Sequence, residues 1–301
     1  MTVVGKSAKQ VTLERACSRL SESLGEPLSG TASTVRHWLL VEQPGAWGFD
    51  ALLESDLPRP VATVLKERAA GLGLRVVLIR RPHRVEEHAA RTVYLVHSGP
   101  REVWHRRLSV NSPADLVDLD LARLMHDSVG ASRQPLYLVC TNSKRDVCCA
   151  VAGVPLARRL AGLGDVWECS HIGGDRFAGN LVCLPHGLYY GRVTPDIGVR
   201  IVDRHARGEL LLSHLRGRAS YEFAVQAADI FIRRSRALHR IDDLTLDSVT
   251  AGVPVHCAFR TRTGELLEVE VDVGPVSAAR RLTCHGDETR PPAYRARWLR
   301  A

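Results

Sequence analysis

Long hydrophobic runs are absent from this sequence of 301 residues. No apolar stretch approaches the roughly 20 residues that a membrane-spanning helix needs. The opening segment, MTVVGKSAKQ, also lacks the apolar core of a secretory signal. We therefore expect a cytoplasmic protein that does not engage a membrane.

Aromatic residues are scarce as well, at 5% of the chain, whereas the formal net charge is +8. A surface that binds nucleic acid combines clustered basic residues with aromatic rings on which bases stack. Here the arginines are scattered in pairs along the chain, among them Arg80-Arg81, Arg158-Arg159 and Arg233-Arg234. We therefore expect the positive charge to attract an acidic redox partner protein rather than nucleic acid.

Several motifs of catalysis are missing. The chain has eight cysteines but no Cys-x-x-Cys motif, which argues against thioredoxin-type thiol–disulfide exchange. No Ser-His-Asp order or nucleophile elbow is present, and the 33 acidic residues are too many for any one pair to indicate a glycosidase. We therefore do not expect a hydrolase.

The cysteines are unevenly distributed, because four of the eight fall within residues 140–169. In a reducing compartment, clustered cysteines are more often metal ligands or catalytic groups than disulfide partners. Cys17, Cys183 and Cys257 have apolar neighbours and are interpreted as small buried side chains. Cys257 and Cys284 each adjoin a histidine but lack clear ligand spacing, so we predict no metal site there.

The order of the predicted elements repeats within the chain. Strand, loop, helix, strand, hairpin and helix follow one another twice, at an offset of roughly ninety residues, and this is the thioredoxin-like order. We predict an α/β protein with two tandem thioredoxin-like lobes and a small antiparallel β appendage. Residues 1–131 form a first lobe without a cysteine site, residues 132–240 form the lobe that carries the site, and residues 241–301 form the appendage.

Two long helices are predicted from apolar residues at helical spacing. The first covers residues 113–129, and the second covers residues 215–238 with arginines at its C-terminal end. The tail at 291–301 is interpreted as a loose basic strand.

The highest density of potential metal ligands lies between residues 140 and 180. Cys140 closes a predicted strand, and Cys148 or Cys149 opens the following helix, whose N-terminal dipole favours thiolates. Farther along, His171 and Asp175 flank a Gly-Gly pair that lets the backbone turn tightly around a metal group. These residues predict a metal or cluster centre.

The residue types leave other readings open at this point. A zinc site built from Cys140, Cys149, His171 and either Asp175 or Cys169 has a reasonable donor set. Packed cysteines with no metal at all are a further alternative.

At these residues the sequence resembles the sucrase/ferredoxin-like family. The family's Cys-x8-Cys segment, with Arg-Asp inside it, matches residues 140–149, and its His-x-Gly-Gly-His-[Arg/Lys]-Phe-Ala-Gly-Asn segment matches residues 171–180 at every position but one. Further similar segments are HWLLVEQPGAWG, LPHGLYYGRV and LRGRASYEFAVQAA, so the resemblance covers most of the chain.

The resemblance implies a thioredoxin-like ferredoxin module that transfers single electrons through a 2Fe-2S cluster, as an electron carrier or reductase component. By that resemblance Cys140 and Cys149 ligate one iron and His171 ligates the other. Asp175 stands where the family has its second histidine. Either Asp175 is the fourth ligand, Cys169 replaces it, or the cluster is lost. In the last case the chain is a non-redox thioredoxin-like binding module, zinc-bound or metal-free.

Overall fold

The computed structural model describes residues 16–83, 90–276 and 278–299. Its largest element is a mixed sheet of nine strands: β1 (His37–Glu42), β2 (Leu74–Arg80), β3 (Arg91–Ser98), β4 (Val103–Val110), β5 (Leu136–Cys140), β6 (Asp165–Cys169), β7 (Leu181–Leu184), β8 (Leu188–Tyr190) and β9 (Leu215–Arg218). Their spatial order is β4-β3-β1-β2-β6-β5-β7-β8-β9. The fold is therefore mixed α/β, as the sequence predicted.

Helices pack around this sheet. They are α1 (Cys17–Ser23), α2 (Arg59–Gly71), α3 (Asp115–Asp118), α4 (Leu121–His126), α5 (Val147–Leu160), α6 (Pro195–Ala206) and α7 (Phe223–Arg236), with 3-10 turns at Asp175–Phe177 and Ile241–Asp243. Of the helices in the described ranges, none combines the length and the apolar character needed to cross a membrane.

Eight of the nine strands fall into two halves with the same strand order, and β9 follows β8 at the edge of the sheet. In the first half, α2 connects the parallel strands β1 and β2, β3 lies antiparallel on the other side of β1, and β4 follows. In the second half, α5 connects the parallel strands β5 and β6, β7 lies antiparallel beside β5, and β8 follows. The predicted repetition of elements is thus present in the strand order.

The two halves meet where β2 and β6 pair in antiparallel fashion, with Ile79 opposite Cys169. This pairing makes one continuous sheet rather than two separate ones. The domain limits at residues 131 and 240 stay predictions.

Both faces of the large sheet are covered, and alternate residues of its strands pack into different buried clusters. Trp38 and Leu40 of β1 belong to one buried cluster, whereas Leu39 and Val41 belong to another, under α2. Successive residues of a strand point to opposite faces, so nearly continuous apolar strands such as β1 suit a doubly covered sheet. Cys140, Cys149 and Cys169 share the first of these clusters.

A small antiparallel sheet follows the large one, as predicted for the C-terminal appendage. Its strands are β10 (Leu244–Thr250), β11 (Val255–Thr261), β12 (Leu266–Pro275) and β15 (Pro292–Trp298), in the order β10-β11-β12-β15, with a separate pair β13 (Arg280–Arg281) and β14 (Glu288–Thr289). Helix α7 packs against it through Ala228 and Ile232, which contact the core that contains Phe259 and Val269. The predicted tail strand is the edge strand β15.

Two predicted helices were wrong in their bounds. The helix expected over residues 113–129 is broken into α3 and α4, because Leu119 is extended and the Asp120 side chain caps α4 by accepting from the amide of Arg123. Residues 215–218 of the second predicted helix form β9, which pairs with β8. Gly217 in β9 has φ +150°, a conformation that a helix does not contain.

Candidate metal centre

The thiols of Cys140 and Cys149 are brought together at the carboxyl end of β5. Asp146 begins α5, and its Oδ1 accepts a hydrogen bond of 2.9 Å from the amide of Cys148, so the helix opens immediately after the loop. Gly153 faces the Cys140 carbonyl, and a Cβ at this position would collide with that oxygen. The glycine therefore allows α5 to approach the end of β5 closely.

The other half of the site is formed by the turn after β6. Gly173 and Gly174 have φ values of +94° and +83°, in the left-handed region that favours glycine. This turn folds Asp175 back toward His171, whose Nδ1 lies 2.9 Å from the Asp175 Oδ1. The Cys149 thiol donates to the same oxygen at 3.2 Å. Asp175 thus contacts both a predicted thiol ligand and the predicted imidazole ligand.

Cys140 completes the group by contacting Cys149 and His171. The adjacent Cys149 thiol, together with the contact to His171, lowers the pKa of the Cys140 thiol to about 6. Burial alone would lower the pKa of His171, but the adjacent Asp175 carboxylate and the Cys140 thiol raise it to about 9. These two pKa shifts favour a thiolate at Cys140 beside a protonated imidazole.

Two buried polar atoms in this group have no hydrogen-bond partner among the described residues. They are Nδ1 of His171, which is close to Asp175 but not aligned for a hydrogen bond, and Oδ2 of Asp175. A buried polar atom without a partner costs free energy unless something else satisfies it. The two thiols, the imidazole and the carboxylate therefore fit a metal group as donors.

Cys169, the alternative fourth ligand, lies on β6 directly beside Cys140 on β5. It is fully buried, and burial raises the pKa of its thiol. Its neighbours in the apolar core include Trp167 and Ile172. The structure therefore brings Cys169 next to Cys140, while it is Asp175 that contacts His171. The assignment of the fourth ligand stays a prediction.

Arg216 on β9 is a charged neighbour of the site that the sequence did not indicate. Its side chain is almost completely buried, and it donates to the Gly173 carbonyl at 3.0 Å and to the Asn180 side chain at 2.7 Å. The guanidinium occupies the space that a Cβ at Gly174 would need. A buried cation thus lies under the turn that carries Asp175, and burial lowers its pKa to about 10.

A second group of potential ligands lies on the other side of the α5 N-terminus. Candidate ligand atoms of Cys17, Asp146, Cys148 and Cys284 all lie within 4.8 Å of one another, an arrangement that can hold a metal ion. Sequence reasoning missed this group, having interpreted Cys17 as a buried small side chain and having predicted no metal site at Cys284. No short spacing connects the three cysteines, so no local signal was present to find.

The structure is thus a mixed α/β protein with thiols, an imidazole and a carboxylate gathered at one end of its large sheet. A family model described as sucrase/ferredoxin-like matches residues 28–217, and the chain belongs to that family. This confirms the resemblance seen in the sequence.

Two curated relatives are named Altered inheritance of mitochondria protein 32. The protein from Debaryomyces hansenii is 35% identical over 92 residues, which cover 27% of this chain and 34% of the relative. The protein from Meyerozyma guilliermondii is 34% identical over 80 residues, which cover 23% of this chain and 28% of the relative. The match therefore spans only about a third of the length of these relatives. No solved structure matches the chain.

Proposed function

We propose that this protein carries single electrons through a 2Fe-2S cluster held by Cys140, Cys149, His171 and Asp175. The observation that carries this proposal is the convergence of these four side chains, with buried atoms of His171 and Asp175 left without hydrogen bonds. Membership of the sucrase/ferredoxin-like family supports it.

Each of the four residues has a defined part in this proposal. Cys140 and Cys149 supply thiolates for one iron. The neighbouring Cys140 thiol, burial and Asp175 raise the pKa of Cys149, so its proton has to leave when iron binds. His171 and Asp175 supply the donors for the other iron. When bound, the cluster provides a centre that accepts and returns one electron. Arg216 offsets the negative charge of the thiolate and carboxylate donors from beneath the turn.

The exposed edge of the site is His171. Cys140, Cys149 and Asp175 are each no more than 2% exposed, whereas the His171 side chain is 25% exposed. His171 also lines a cavity of about 550 Å³. This is the side from which a partner approaches the centre most closely, and on which the imidazole exchanges a proton with solvent.

The partner we propose is an acidic redox protein. Lys66 and Arg145 line the same cavity as His171, together with Asp50, which binds Lys66 at 2.7 Å, so Arg145 supplies the excess positive charge there. The chain as a whole has a net charge of +8. Charge of one sign around a docking site speeds association with an oppositely charged partner, and salt screens this effect. Association with candidate reductases that does not change with salt concentration would contradict this part of the proposal.

We further propose that each half of the large sheet is a thioredoxin-like unit and that the protein works in the cytoplasm. In each half a parallel β-α-β pair is extended on one side by two antiparallel strands, in the order β2-β1-β3-β4 and β6-β5-β7-β8. This repeated order supports the first statement. All eight cysteines are free thiols, which fits a reducing compartment.

Anaerobic purification tests the central proposal. The full chain should be red-brown, with about two irons and two sulfides per chain and visible absorption that bleaches with dithionite. Cys257→Ser, at a buried cysteine outside both ligand groups, is the matched control and should keep the colour. The rival function is a non-redox binding module, zinc-bound or metal-free at these residues. It predicts colourless protein without iron even after chemical reconstitution with iron and sulfide.

A further inference from the structure

We propose that Cys17, Cys148, Cys284 and Asp146 form a second metal site, which binds a structural zinc ion. This site is separate from the proposed redox centre and does not depend on it. Nothing in the resemblance to the sucrase/ferredoxin-like family assigns a role to Cys17 or Cys284.

The three sulfur atoms form a nearly equilateral triangle. Cys17 Sγ lies 3.6 Å from Cys148 Sγ, Cys148 Sγ lies 3.4 Å from Cys284 Sγ, and Cys284 Sγ lies 3.6 Å from Cys17 Sγ. Tetrahedral zinc–thiolate bonds of about 2.3 Å place neighbouring sulfurs about 3.8 Å apart. The thiols are therefore already near the spacing that one zinc ion requires, and none of them is in a disulfide.

The fourth donor is the Oδ2 atom of Asp146. This atom lies 3.6 Å from the Cys17 sulfur and accepts a hydrogen bond of 2.6 Å from the Cys284 amide. The other carboxylate oxygen accepts from the Cys148 amide at 2.9 Å. Two backbone hydrogen bonds thus hold the carboxylate in place, as outer-shell contacts do for metal ligands.

The donor set selects zinc among the common metals. Three thiolates exclude calcium and magnesium, which prefer oxygen ligands, and a carboxylate is a poor donor for Cu(I), which prefers soft ligands. An iron–sulfur cluster needs its cysteines spread around several metal atoms, whereas these sulfurs are all in mutual contact. Three thiolates and one oxygen around a single ion suit four-coordinate zinc.

The site is closed, which is typical of structural rather than catalytic zinc. Cys17 and Asp146 are fully buried, Cys148 is 4% exposed, and only Cys284 is partly exposed. Among the donors no position is left for a reacting water, since all four coordination positions have a protein ligand.

The position of the site indicates what the zinc stabilises. Cys17 begins α1, Cys148 lies in the first turn of α5, and Cys284 lies between β13 and β14, so the ion connects three segments that are far apart in the chain. Just after α1, Glu26 binds Arg176 in the turn that holds Asp175. The zinc would therefore hold α1 and the segment between β13 and β14 against the turn that carries Asp175.

Metal analysis of variants tests this proposal. The full chain, purified without oxygen from cells supplied with iron and zinc, should contain about one zinc ion per chain. Cys284→Ser, at the partly exposed ligand, and Cys17→Ser should each reduce zinc to near zero. Cys149→Ser should lose iron but keep zinc, and Cys257→Ser should keep both metals. Iron content therefore reports the proposed redox centre, and zinc content reports this site.

X-ray absorption at the zinc edge of the unaltered protein decides the proposal even if a variant fails to fold. Three sulfur neighbours and one oxygen neighbour are expected. Wild-type protein without zinc after addition of zinc ions, zinc that persists in both Cys17→Ser and Cys284→Ser, or zinc that is lost in Cys149→Ser would each overturn the assignment.

Discussion

Cys148 and Cys149 are adjacent in the chain, yet their thiols belong to two different groups. The Cys148 sulfur lies 3.4 Å from Cys284, whereas the Cys149 sulfur donates to Asp175 at 3.2 Å. Neighbouring residues at the start of a helix point about 100° apart, so one helix end can serve two sites. Each of the two vicinal thiols therefore contacts a different group of potential ligands.

Replacing Cys148 and Cys149 one at a time should show which of the two thiols the proposed redox centre needs. Cys149→Ser should abolish visible absorption, because serine is a poor ligand for iron, while Cys148→Ser should keep most of it. The measurement is the absorption spectrum of anaerobically purified protein, with iron and sulfide analysis. Equal loss of colour in both variants, with both folded by circular dichroism, would show that the two thiols act at one site.

Asp175→His should raise the reduction potential of the centre. A carboxylate is a harder, anionic donor than imidazole, and histidine ligation of a 2Fe-2S cluster raises its potential. We expect an increase on the order of 100 mV, together with a dependence on pH because the imidazole ligand carries an ionisable proton. Spectroscopic redox titration at several pH values measures both.

Cys169→Ala is the matched control for this substitution, since Cys169 is the alternative ligand. It should leave the potential unchanged if Asp175 is bound to iron. An unchanged potential and stability in Asp175→His, combined with loss of the cluster in Cys169→Ala, would assign the fourth position to Cys169.

Local spacing accounts for the parts of the site that the sequence predicted. Cys140 and Cys149 are separated by one loop and one helix start, and His171 and Asp175 are separated by one glycine turn, so short-range geometry brings each pair together. The group of Cys17, Cys148 and Cys284 could not be predicted in this way. Its members are 131 and 136 residues apart and meet only through the tertiary fold.

In the fold, too, local elements could be predicted from the sequence, whereas long-range pairings could not. The repeated order of strands and helices was visible because each element has its own apolar pattern. The pairing of β2 with β6 is non-local, and so is the pairing that makes residues 215–218 an edge strand instead of the start of a helix. Arginine is usually exposed, so the sequence around Arg216 gives no sign of burial. Only the packing of β9 shows that Arg216 is buried.

Arg216→Gln should lower the reduction potential of the centre. The buried guanidinium favours the more negative, reduced state, and its removal leaves that state less stabilised. We expect a decrease of roughly 50 mV, with lower thermal stability because the carbonyl of Gly173 and the side chain of Asn180 lose a donor. Arg216→Lys keeps the positive charge, so the reduction potential should fall less in this variant than in Arg216→Gln, although the lysine also loses hydrogen bonds. Potentials that fall equally in both variants would argue against the charge effect.

The pair of His186 and His205 should make the protein less stable in mild acid. His186 Nδ1 lies 3.1 Å from His205 Nε2, and burial lowers the pKa of His186 to about 4 and that of His205 to about 3. Between the unfolded pKa near 6.5 and these folded values, the unfolded chain binds more protons than the folded one, so stability falls as pH falls.

The expected loss is about 2 kcal/mol for each histidine between about pH 7 and about pH 5. Urea denaturation of the wild type and of His186→Gln/His205→Gln at both pH values measures it, and the double variant should show a weaker pH dependence. His239→Gln, at an exposed histidine, is the control and should behave as the wild type does. An equal pH dependence in all three proteins would contradict this assignment.

Glu26 should contribute more to stability than any exposed ion pair does. Its buried carboxylate accepts from Ser21 at 2.7 Å and from Arg176 at 2.9 Å, and Arg280 lies 3.5 Å away. It therefore joins the segment after α1 to the turn of Asp175 and to β13. Glu26→Gln leaves two largely buried arginines without their carboxylate, which costs about 2 to 4 kcal/mol in the free energy of unfolding.

The exposed pair of Arg207 and Asp203 is the matched comparison for Glu26. Solvent screens this pair, so Asp203→Asn should change the free energy of unfolding far less than Glu26→Gln does. Urea denaturation of the two variants measures the difference. Because Glu26 lies between α1 and the turn of Asp175, Glu26→Gln should also loosen the proposed redox centre and speed the loss of its colour in air. Equal stability of the two variants would mean that the network around Glu26 is no stronger than a surface ion pair, and α1 would then depend on its cysteine contacts to stay in place.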